Sequence, residues 1–252
     1  MQVRVLGSGS RGNALVVDGP DGGLLLDCGF ARKHLDARLA ASGYDAGRLR
    51  GILVTHEHAD HASGVGRAAR AYGLPVYATH GTARRARFGD GVRLHTIHPG
   101  QTLRLAGLEV QAYAVPHDAA EPVQFVLGDG QSRLGVLSDA GHVTAHMRSV
   151  LEGCHTLLLE ANHCPQMLAA GPYPPALQRR VGGRYGHLAN AQAAGLLAAL
   201  DLAGTRRIVL THLSEQNNTP DRAREAVGVA LRDWGGLLCT AAQDTPLDAF
   251  EV

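Results

Sequence analysis

The run Thr55-His56-Glu57-His58-Ala59-Asp60-His61 decides how the rest of this sequence is interpreted. It follows the apolar stretch Gly51-Ile52-Leu53-Val54, which is typical of a buried strand. His56 and His58 alternate with the period of a strand, so both side chains are expected on one side, and the run then turns into a helix. Imidazole and carboxylate are ligands that zinc and manganese accept. The run predicts two adjacent metal ions, with His56 and His58 on one and Asp60 and His61 on the other.

The run resembles the HxHxDH signature of the metallo-β-lactamase superfamily, and further family motifs follow along the chain in the family's order, each after an apolar stretch. The resemblance implies a structural aspartate at Asp27. It also implies a third histidine for the first metal at His117, a bridging Asp139 and a last histidine for the second metal at His212. The implied ligands are therefore His56, His58 and His117 on one ion and Asp60, His61 and His212 on the other, with Asp139 between them.

The same resemblance implies the fold. It spans about Val3 to His212, and it implies an α/β architecture, the αββα four-layer sandwich of the metallo-β-lactamase fold. A chain of 252 residues can fill this sandwich as a single domain covering 1–252. The Pro- and Arg-rich span at about 165–186 is predicted to be a surface insertion.

The implied ligand set defines a reaction type but not a substrate. It calls for two divalent metal ions, zinc or manganese, and iron is also compatible because His and Asp serve all three. Two such ions activate a shared water and hold the oxygens of an in-line displacement. Asp60 can be both a ligand and the acceptor of the water's proton. Phosphodiester hydrolysis suits this chemistry, and acyl hydrolysis suits it equally well.

Composition agrees with a protein that works inside the cell. No apolar stretch reaches the roughly 18 residues that a spanning helix needs, so no membrane partner is expected. The N-terminus enters a strand directly, without the pattern of a secretory signal. The four cysteines are widely spaced and form no CxxC motif, which is typical of buried thiols in a reducing cytoplasm. A net charge of +1 argues against a general polyanion-binding surface.

The pattern along the chain predicts alternating strands and helices. Strands are predicted at Val3–Leu6, Ala14–Val17, Leu24–Leu26, Val76–Tyr77, Leu103–Leu105, Glu109–Ala114, Val123–Leu127, Leu134–Val136, Thr156–Leu159 and Ile208–Leu210, besides the strand before the His run. Helices are predicted at Ala31–Ser42, Gly64–Tyr72, Ala191–Leu200 and Pro220–Arg232.

A glycine-rich segment near the N-terminus resembles a sequence motif of a different fold. Gly7-Ser8-Gly9-Ser10-Arg11-Gly12 matches the GxGxxG fingerprint of dinucleotide-binding folds, which requires a helix to begin at the third glycine. Here an apolar, β-branched stretch follows, which predicts a strand and hence a tight hairpin beside the metal site. Ser10 and Asn13 in this hairpin are candidates for substrate binding.

Three motifs in the last third of the chain resemble the nuclease branch of the superfamily. They are Leu159-Glu160-Ala161-Asn162, Gly186-His187-Leu188-Ala189-Asn190 and Thr211-His212-Leu213-Ser214. In that branch a Glu and a His form a relay that protonates the leaving oxygen, and by position Glu160 and His187 inherit these roles. A proton donor suits this bond because an alkoxide is a poor leaving group. The alternatives are a helix-capping or surface role for His187 and a simple salt bridge for Glu160.

The closer resemblance is to YycJ/WalJ-type proteins. It is carried by the Gly7–Asn13 loop and the segments Glu160–His163, Gly171–Pro174, Gly186–Asn190 and Leu213–Pro220. It implies a bacterial, cytoplasmic 5′→3′ exonuclease that acts on DNA and is linked to repair, and Asn190 becomes a candidate for substrate binding. Ala189 stands where Ser is more usual and Cys164 where Asp is, but neither position is an implied metal ligand.

Other functions stay open at this stage. A small-molecule hydrolase of the thioester, lactone or cyclic-phosphodiester kind would use the same ligands, as would an RNA-processing nuclease or a non-hydrolytic metal protein. A nuclease needs arginines near the cleft to hold phosphates. Arg179, Arg180 and Arg184 are candidates, with a merely solvated face as the alternative. The expected partner is a nucleic acid, DNA first, and the sequence leaves protein partners undecided.

Overall fold

Two seven-stranded sheets form the framework of the molecule, and a computed structural model describes residues 1–252. The first sheet contains β1 (Gln2–Gly7), β2 (Ala14–Gly19), β3 (Gly22–Leu26), β4 (Leu49–Leu53), β5 (Val76–Thr79), β6 (Leu94–Ile97) and β14 (Phe250–Glu251), in the order β14-β1-β2-β3-β4-β5-β6. The second contains β7 (Thr102–Leu105), β8 (Leu108–Ala114), β9 (Val123–Gly128), β10 (Arg133–Leu137), β11 (Thr156–Glu160), β12 (Arg207–Thr211) and β13 (Leu237–Thr240), in the order β13-β12-β11-β10-β9-β8-β7.

Each sheet is antiparallel in one part and parallel in the other. In the first sheet β1, β2 and β3 form an antiparallel meander, whereas β3 to β6 run parallel. In the second sheet β7 to β10 are antiparallel, and β10 to β13 are parallel. Parallel strands end at the same edge of a sheet, so residues that follow them are brought close together. The motifs predicted to be functional follow these strands.

Helices cover the outer faces of both sheets. They are α1 (Arg32–Ala41), α2 (Ala59–Ala62), α3 (Val65–Tyr72), α4 (His80–Ala86), α5 (Ala145–Leu151), α6 (Pro165–Ala170), α7 (Pro175–Val181), α8 (Asn190–Ala199) and α9 (Pro220–Gly228), together with a 3₁₀ turn at Ala46–Arg48. None of them is long and apolar enough to cross a membrane.

The inner core lies between the sheets, and alternation along the strands builds it. Val17 pairs with Val3 on one side and Leu24 on the other, and all three side chains point to the inner face. The facing sheet contributes a matching row, in which Leu158 pairs with Val136 and Val209. Burying each such side chain stabilises the fold by about 1.5–3 kcal/mol.

The alternate residues of the same strands face the helices. Leu25 and Ile52 of the first sheet pack with Leu35 of α1 and Val65 of α3. In the second sheet, residues such as Leu157 and Leu210 pack with Val150 of α5 and Leu197 of α8. Both faces of the central strands are therefore apolar, which is why those strands are continuous apolar runs in the sequence. The predicted αββα sandwich is confirmed.

The span 165–186 is more ordered than an exposed insertion would suggest. It folds into α6 and α7, joined by a short turn at Gly171–Pro174, and α7 packs beside the edge where the parallel strands end. Both helices begin with a proline, Pro165 in α6 and Pro175 in α7, which fits the first turn because that turn needs no N–H donor.

Candidate active site

The loops that follow five strands meet at one edge of the sandwich. Asp27 follows β3, the His56–His61 run follows β4, His117 follows β8, Asp139 follows β10 and His212 follows β12. Asp27, Asp139 and His212 have positive φ values of 57°, 50° and 55°. This left-handed conformation is uncommon for residues with side chains and clusters at functional sites. It turns each side chain sharply out of the direction of its strand and towards a common point.

Three imidazole nitrogens form the first cluster. His58 Nδ1 lies 3.0 Å from His56 Nε2 and 3.2 Å from His117 Nε2. Nitrogens bound to one tetrahedral zinc at about 2.0–2.1 Å are separated by about 3.3 Å. The three nitrogens therefore have the spacing of ligands that share one ion, and the cluster fits a divalent metal.

The second cluster combines one carboxylate and two imidazoles. Asp60 Oδ2 lies 3.4 Å from His61 Nε2 and 3.3 Å from His212 Nε2. Asp139 stands between the clusters, with Oδ2 at 3.1 Å from His61 Nε2 and Oδ1 at 3.9 Å from His117 Nε2. A carboxylate in this position can contribute an oxygen to each of two neighbouring ions. The structure thus brings together all seven side chains that the sequence nominated as ligands.

Hydrogen bonds behind the clusters fix which nitrogen each ring presents. His61 Nδ1 donates to Asp27 Oδ2 at 2.7 Å, and His117 Nδ1 donates to the Gly186 carbonyl at 2.9 Å. The Thr55 hydroxyl donates to Asp27 Oδ2 at 2.7 Å and lies 2.9 Å from His56 Nδ1. These contacts leave Nε2 of His56, His61 and His117 free to face the centre. Hydrogen bonds of this kind orient histidine ligands in metal sites.

The electrostatics of the centre suit a divalent cation. Burial favours the neutral imidazole and lowers the pKa of His56 well below its ordinary value. Burial opposes ionisation of Asp139, yet His212 and His61 hold the pKa of this carboxyl well below its usual range. Burial also acts against protonation of His212, but Asp139 and Asp60 outweigh it and raise the pKa to about 10. A buried group of ionised carboxylates thus attracts positive charge, which protons supply here and which a metal ion can supply instead.

His187 and Glu160 form a pair next to the clusters. His187 Nδ1 donates to Glu160 Oε1 at 2.8 Å, and Glu160 is completely buried. The other oxygen of Glu160 accepts from the backbone N–H groups of Ala140 at 3.0 Å and Leu188 at 3.1 Å, so both oxygens are engaged. His187 lines the cavity in front of the clusters, where its Nε2 has no protein partner. Glu160 therefore orients His187 and leaves Nε2 free to act.

The charge state of this pair favours a proton donor. Burial acts to raise the pKa of Glu160, but the neighbouring His187 lowers it to about 2, so the carboxylate stays ionised. Burial acts to lower the pKa of His187, and the carboxylate of Glu160 outweighs this effect and raises it. The alternatives considered from sequence do not describe this geometry, because Ala189 is the residue that precedes α8 and Glu160 is not on the surface.

A cavity of about 320 Å³ opens in front of the clusters. Ser10 from the glycine-rich hairpin lies on one wall, and Arg180 from α7 lies on another. Arg180 Nε donates to the carboxylate of Asp118, whose other oxygen is 3.5 Å from His117 Nε2. The lining residues are Ser10, His58, Ala59, Asp60, Asp118, Asp139, Asn162, Tyr173, Leu177, Arg180, Val181, Gly186, His187, His212 and Ser214.

Four residues nominated for substrate binding lie elsewhere. Arg179 and Arg184 are exposed and do not line the cavity. Arg179 lies on the face of the short helix α7 that is turned away from it, and Arg184 lies in the turn that follows this helix. Asn190 is buried, and its amide exchanges hydrogen bonds of 2.9 and 2.8 Å with the amide of Asn218, so it cannot reach a substrate.

Asn13 is the fourth residue that the structure places away from the cavity. Its amide donates to the Gly9 carbonyl and accepts from the Gly9 N–H, which closes the glycine-rich hairpin. The amide nitrogen also lies 3.3 Å from Asp60 Oδ2. Asn13 therefore supports the second cluster, and Ser10 is the hairpin residue that faces the cavity.

Several residues in the site carried no clear signal in the sequence. Thr55 links two of the histidines through Asp27, and its place directly before the His run could have suggested this role. Asp118, Asn162, Tyr173 and Ser214 line the cavity. Asp118 stands next to His117, and Asn162, Tyr173 and Ser214 lie within segments that carry the family resemblance, but nothing marked these individual positions as part of the site.

The chain matches known proteins over most of its length. The β-lactamase superfamily domain matches residues 23–213. The exodeoxyribonuclease YycJ of Bacillus anthracis is 35% identical over 92% of this chain and 89% of its own length. The exodeoxyribonuclease WalJ of Streptococcus pneumoniae serotype 2 is 32% identical over 87% and 84%. A hydroxyacylglutathione hydrolase of Acidiphilium cryptum is 31% identical, but over only 42% of this chain and 44% of its own length.

Solved structures share the fold at lower sequence identity. The metallo-β-lactamase fold protein YhfI of Bacillus subtilis superposes with a TM-score of 0.73 and 17% identity, covering 98% of this chain and 99% of its own. The Zn²⁺-bound PqqB of Methylobacterium extorquens gives a TM-score of 0.70 and 19% identity, covering 98% and 100%.

Proposed function

Because this chain belongs to the β-lactamase superfamily and is a metal-dependent hydrolase with the metallo-β-lactamase fold, we propose that it is an exonuclease that degrades DNA in the 5′→3′ direction in the cytoplasm. The observation that carries the proposal is the His187–Glu160 pair, which presents a free imidazole nitrogen to the cavity beside the ligand clusters. A proton donor at this place is useful for a poor leaving group such as the sugar alkoxide of a phosphodiester. The names of the two relatives that match most of the chain support the same substrate class.

The residues present fit two divalent ions. His56, His58 and His117 would hold one, and Asp60, His61 and His212 the other, with an Asp139 oxygen available to each. Zinc and manganese are the ions we propose, with iron also compatible with these ligands. When bound, the ions would polarise the phosphate and activate a water molecule.

The chain's own residues account for the proton transfers. The Asp60 carboxylate lines the cavity, is ionised because its pKa is depressed, and is placed to accept the proton of the attacking water. His187 gives the proton on Nε2 to the leaving oxygen. The buried Glu160 carboxylate stabilises the protonated form of His187 before the transfer and fixes the ring afterwards. Arg180 at the cavity wall binds Asp118 through Nε, and its two terminal nitrogens are available to pair with a phosphate oxygen.

A small-molecule hydrolase is the second candidate, favoured by the partial similarity to a hydroxyacylglutathione hydrolase. A thiolate is a good leaving group that does not require a positioned acid, so the His187–Glu160 pair would have no evident task in thioester hydrolysis. The pair is therefore the feature that separates the two candidates.

The proposal is tested by assaying the purified protein with Mn²⁺ or Zn²⁺ on end-labelled DNA, labelled RNA, a chromogenic phosphodiester and a hydroxyacyl thioester. We expect metal-dependent release of nucleotides from the 5′ end of DNA. His56→Ala serves as the control, since it removes a ligand of the first cluster and should abolish the activity. Turnover of the thioester far above that of every nucleic acid would show that the second candidate is correct.

A further inference from the structure

A second groove, of about 430 Å³, runs along the surface next to the catalytic cavity. Its walls come from α2, α3 and the end of α4 with the loop that follows. We call it the arginine groove, because Arg67, Arg70, Arg85 and Arg87 line it and Glu57 is the single acidic residue that does. The lining therefore carries a net charge of +3, in a chain whose total net charge is +1.

These four arginines have no carboxylate partner. Arg11, Arg48 and Arg180 are each paired with a carboxylate, whereas none of the four groove arginines makes a salt bridge. Glu57 makes no salt bridge with them, and one of its oxygens accepts the Ala120 N–H at 2.8 Å. The groove thus presents exposed guanidinium groups that are free to pair with an anion.

Helix stability explains only part of the charge, because Arg70 and Arg85 lie in the last turns of α3 and α4, where the helix dipole favours a positive side chain. Arg67 lies in the first turn of α3, where the helix dipole disfavours a positive side chain. Arg70 is braced, because its guanidinium donates to the carbonyls of Phe88 at 3.0 Å and Asp90 at 3.3 Å. At Gly66 an added Cβ would lie only 1.9 Å from the Phe88 carbonyl oxygen, so glycine allows α3 and this loop to approach closely. The arginine groove is therefore formed by closely packed, hydrogen-bonded segments.

The groove adjoins the catalytic cavity. Ala59, within the His run, lines both. Glu57, beside the ligand His58, lies on the groove side of the same segment. A chain of phosphates with one scissile bond at the clusters would leave the cavity along this path.

We propose that the arginine groove binds the sugar-phosphate backbone of the DNA strand at nucleotides remote from the scissile bond. This inference rests on the proposed function and adds the route of the substrate. Guanidinium groups pair with phosphate oxygens without regard to base, which suits an enzyme that moves along a strand. The arginine groove, and not Arg179 and Arg184, then supplies the positively charged surface that binds phosphates outside the catalytic cavity.

The test compares two double variants of equal charge. Arg67→Gln/Arg85→Gln neutralises two groove positions, and Arg104→Gln/Arg206→Gln neutralises two exposed arginines far from it. Cleavage is measured on a dinucleotide and on a strand of about 20 nucleotides, longer than the roughly 4–16 that single-strand channels contact. For the groove variant we expect KM on the long strand to rise on the order of 10-fold near 0.1 M salt, and its salt dependence to weaken by about 1.4 in slope. Cleavage of the dinucleotide should not change.

Each result has a distinct meaning. If the wild-type protein cleaves DNA and the groove variant matches the Arg104/Arg206 control, the groove proposal is wrong and the proposed function stands. If the groove variant loses the dinucleotide and the long strand equally, the groove does not act at a distance and the proposal is again wrong. If the wild-type protein cleaves no nucleic acid, the proposed function fails and this inference fails with it. The single variants Arg67→Gln and Arg85→Gln, which should each give part of the effect, guard against a folding defect in the pair.

Discussion

His187 is bound at one ring nitrogen and free at the other, and this asymmetry determines what its removal should do. Nδ1 is held by Glu160, and Nε2 faces the cavity. His187→Ala should keep the metal content and the fold but lower turnover of DNA by about 10²–10⁴-fold, the contribution of a positioned proton donor. The loss should be much smaller on a p-nitrophenyl phosphodiester, because that leaving group needs no proton. Rates on both substrates and metal analysis of the purified variant measure these effects.

His56→Ala is the comparison for this variant. His56 Nε2 lies within the first cluster, so its removal should lower metal content together with activity on both substrates. An equal loss on both substrates for His187→Ala, or a loss of metal, would mean that His187 positions another group and is not the acid.

Glu160 should set the pH range in which His187 works. The acid must be protonated, so the rate falls as the pH rises through the pKa of His187, which the Glu160 carboxylate raises. Glu160→Gln removes that charge and lowers the pKa, so the alkaline limb of the pH–rate profile should move to lower pH. Glu109→Gln, at an exposed position on β8, is the matched control and should leave the profile unchanged. An unmoved alkaline limb in Glu160→Gln would contradict the relay.

At the level of single residues, the sequence could predict the candidate metal ligands, but it could not predict every side chain that surrounds them. The convergence of the seven candidate ligands could be predicted because each follows an apolar run, and the fold brings the ends of such strands together. Asn190 could not be placed, since its partner Asn218 lies 28 positions further along the chain. Arg179 and Arg180 are adjacent in sequence, and only the helical phase of α7 determines that Arg180 faces the cavity.

At the level of elements, the predicted strands include all of those that are buried on both faces. Leu24–Leu26 and Ile208–Leu210 each lie within an observed strand. The strands β6, β13 and β14 were not predicted, because they are short and only partly buried, so their apolar signal is weak. The sequence analysis also missed α4 to α7, each of only six or seven residues, which is too short for a helical period to stand out.

A glycine in a loop and a glycine in a helix should respond to alanine in opposite ways. At Gly29 an added Cβ would lie 1.8 Å from the Asp60 carbonyl oxygen, so the backbone that carries a cluster residue must move. Gly29→Ala should lower the free energy of unfolding by about 1–3 kcal/mol, typical of overpacking, and should reduce metal content. Gly195 is exposed in α8 with no atom near its added Cβ, and Gly195→Ala should raise the free energy of unfolding by about 0.5–1 kcal/mol.

Urea denaturation of both variants checks the pair. The Gly195→Ala result shows that alanine at an unobstructed helical position behaves normally in this protein. A Gly29→Ala protein as stable as the wild type and with full metal content would show that the Gly29–Asp60 approach does not shape the site.

At the level of the whole molecule, the centre joins the two halves of the sandwich. The His56–His61 run follows β4 of the first sheet. His117, Asp139 and His212 follow β8, β10 and β12 of the second sheet. Ions shared by these residues would hold the edges of both sheets together. An ion that binds only the folded state adds about 2.7 kcal/mol of stability per site at a hundredfold excess over its Kd.

Removal of metal should therefore destabilise the entire fold and not just the site. For a chain of this size about 1 kcal/mol changes Tm by about 2–4 °C, so chelation should lower Tm by about 5–10 °C per site, and added Zn²⁺ or Mn²⁺ should restore it. His187→Ala, outside the ligand set, should show the full shift. His212→Ala should show a smaller one, since it removes one of the two side chains, with Asp139, that the second sheet contributes to the second cluster. A Tm that does not respond to chelation or to added metal would contradict the proposed centre. Seven donors from two sheets cannot bind an ion without stabilising the packing of the two sheets against each other.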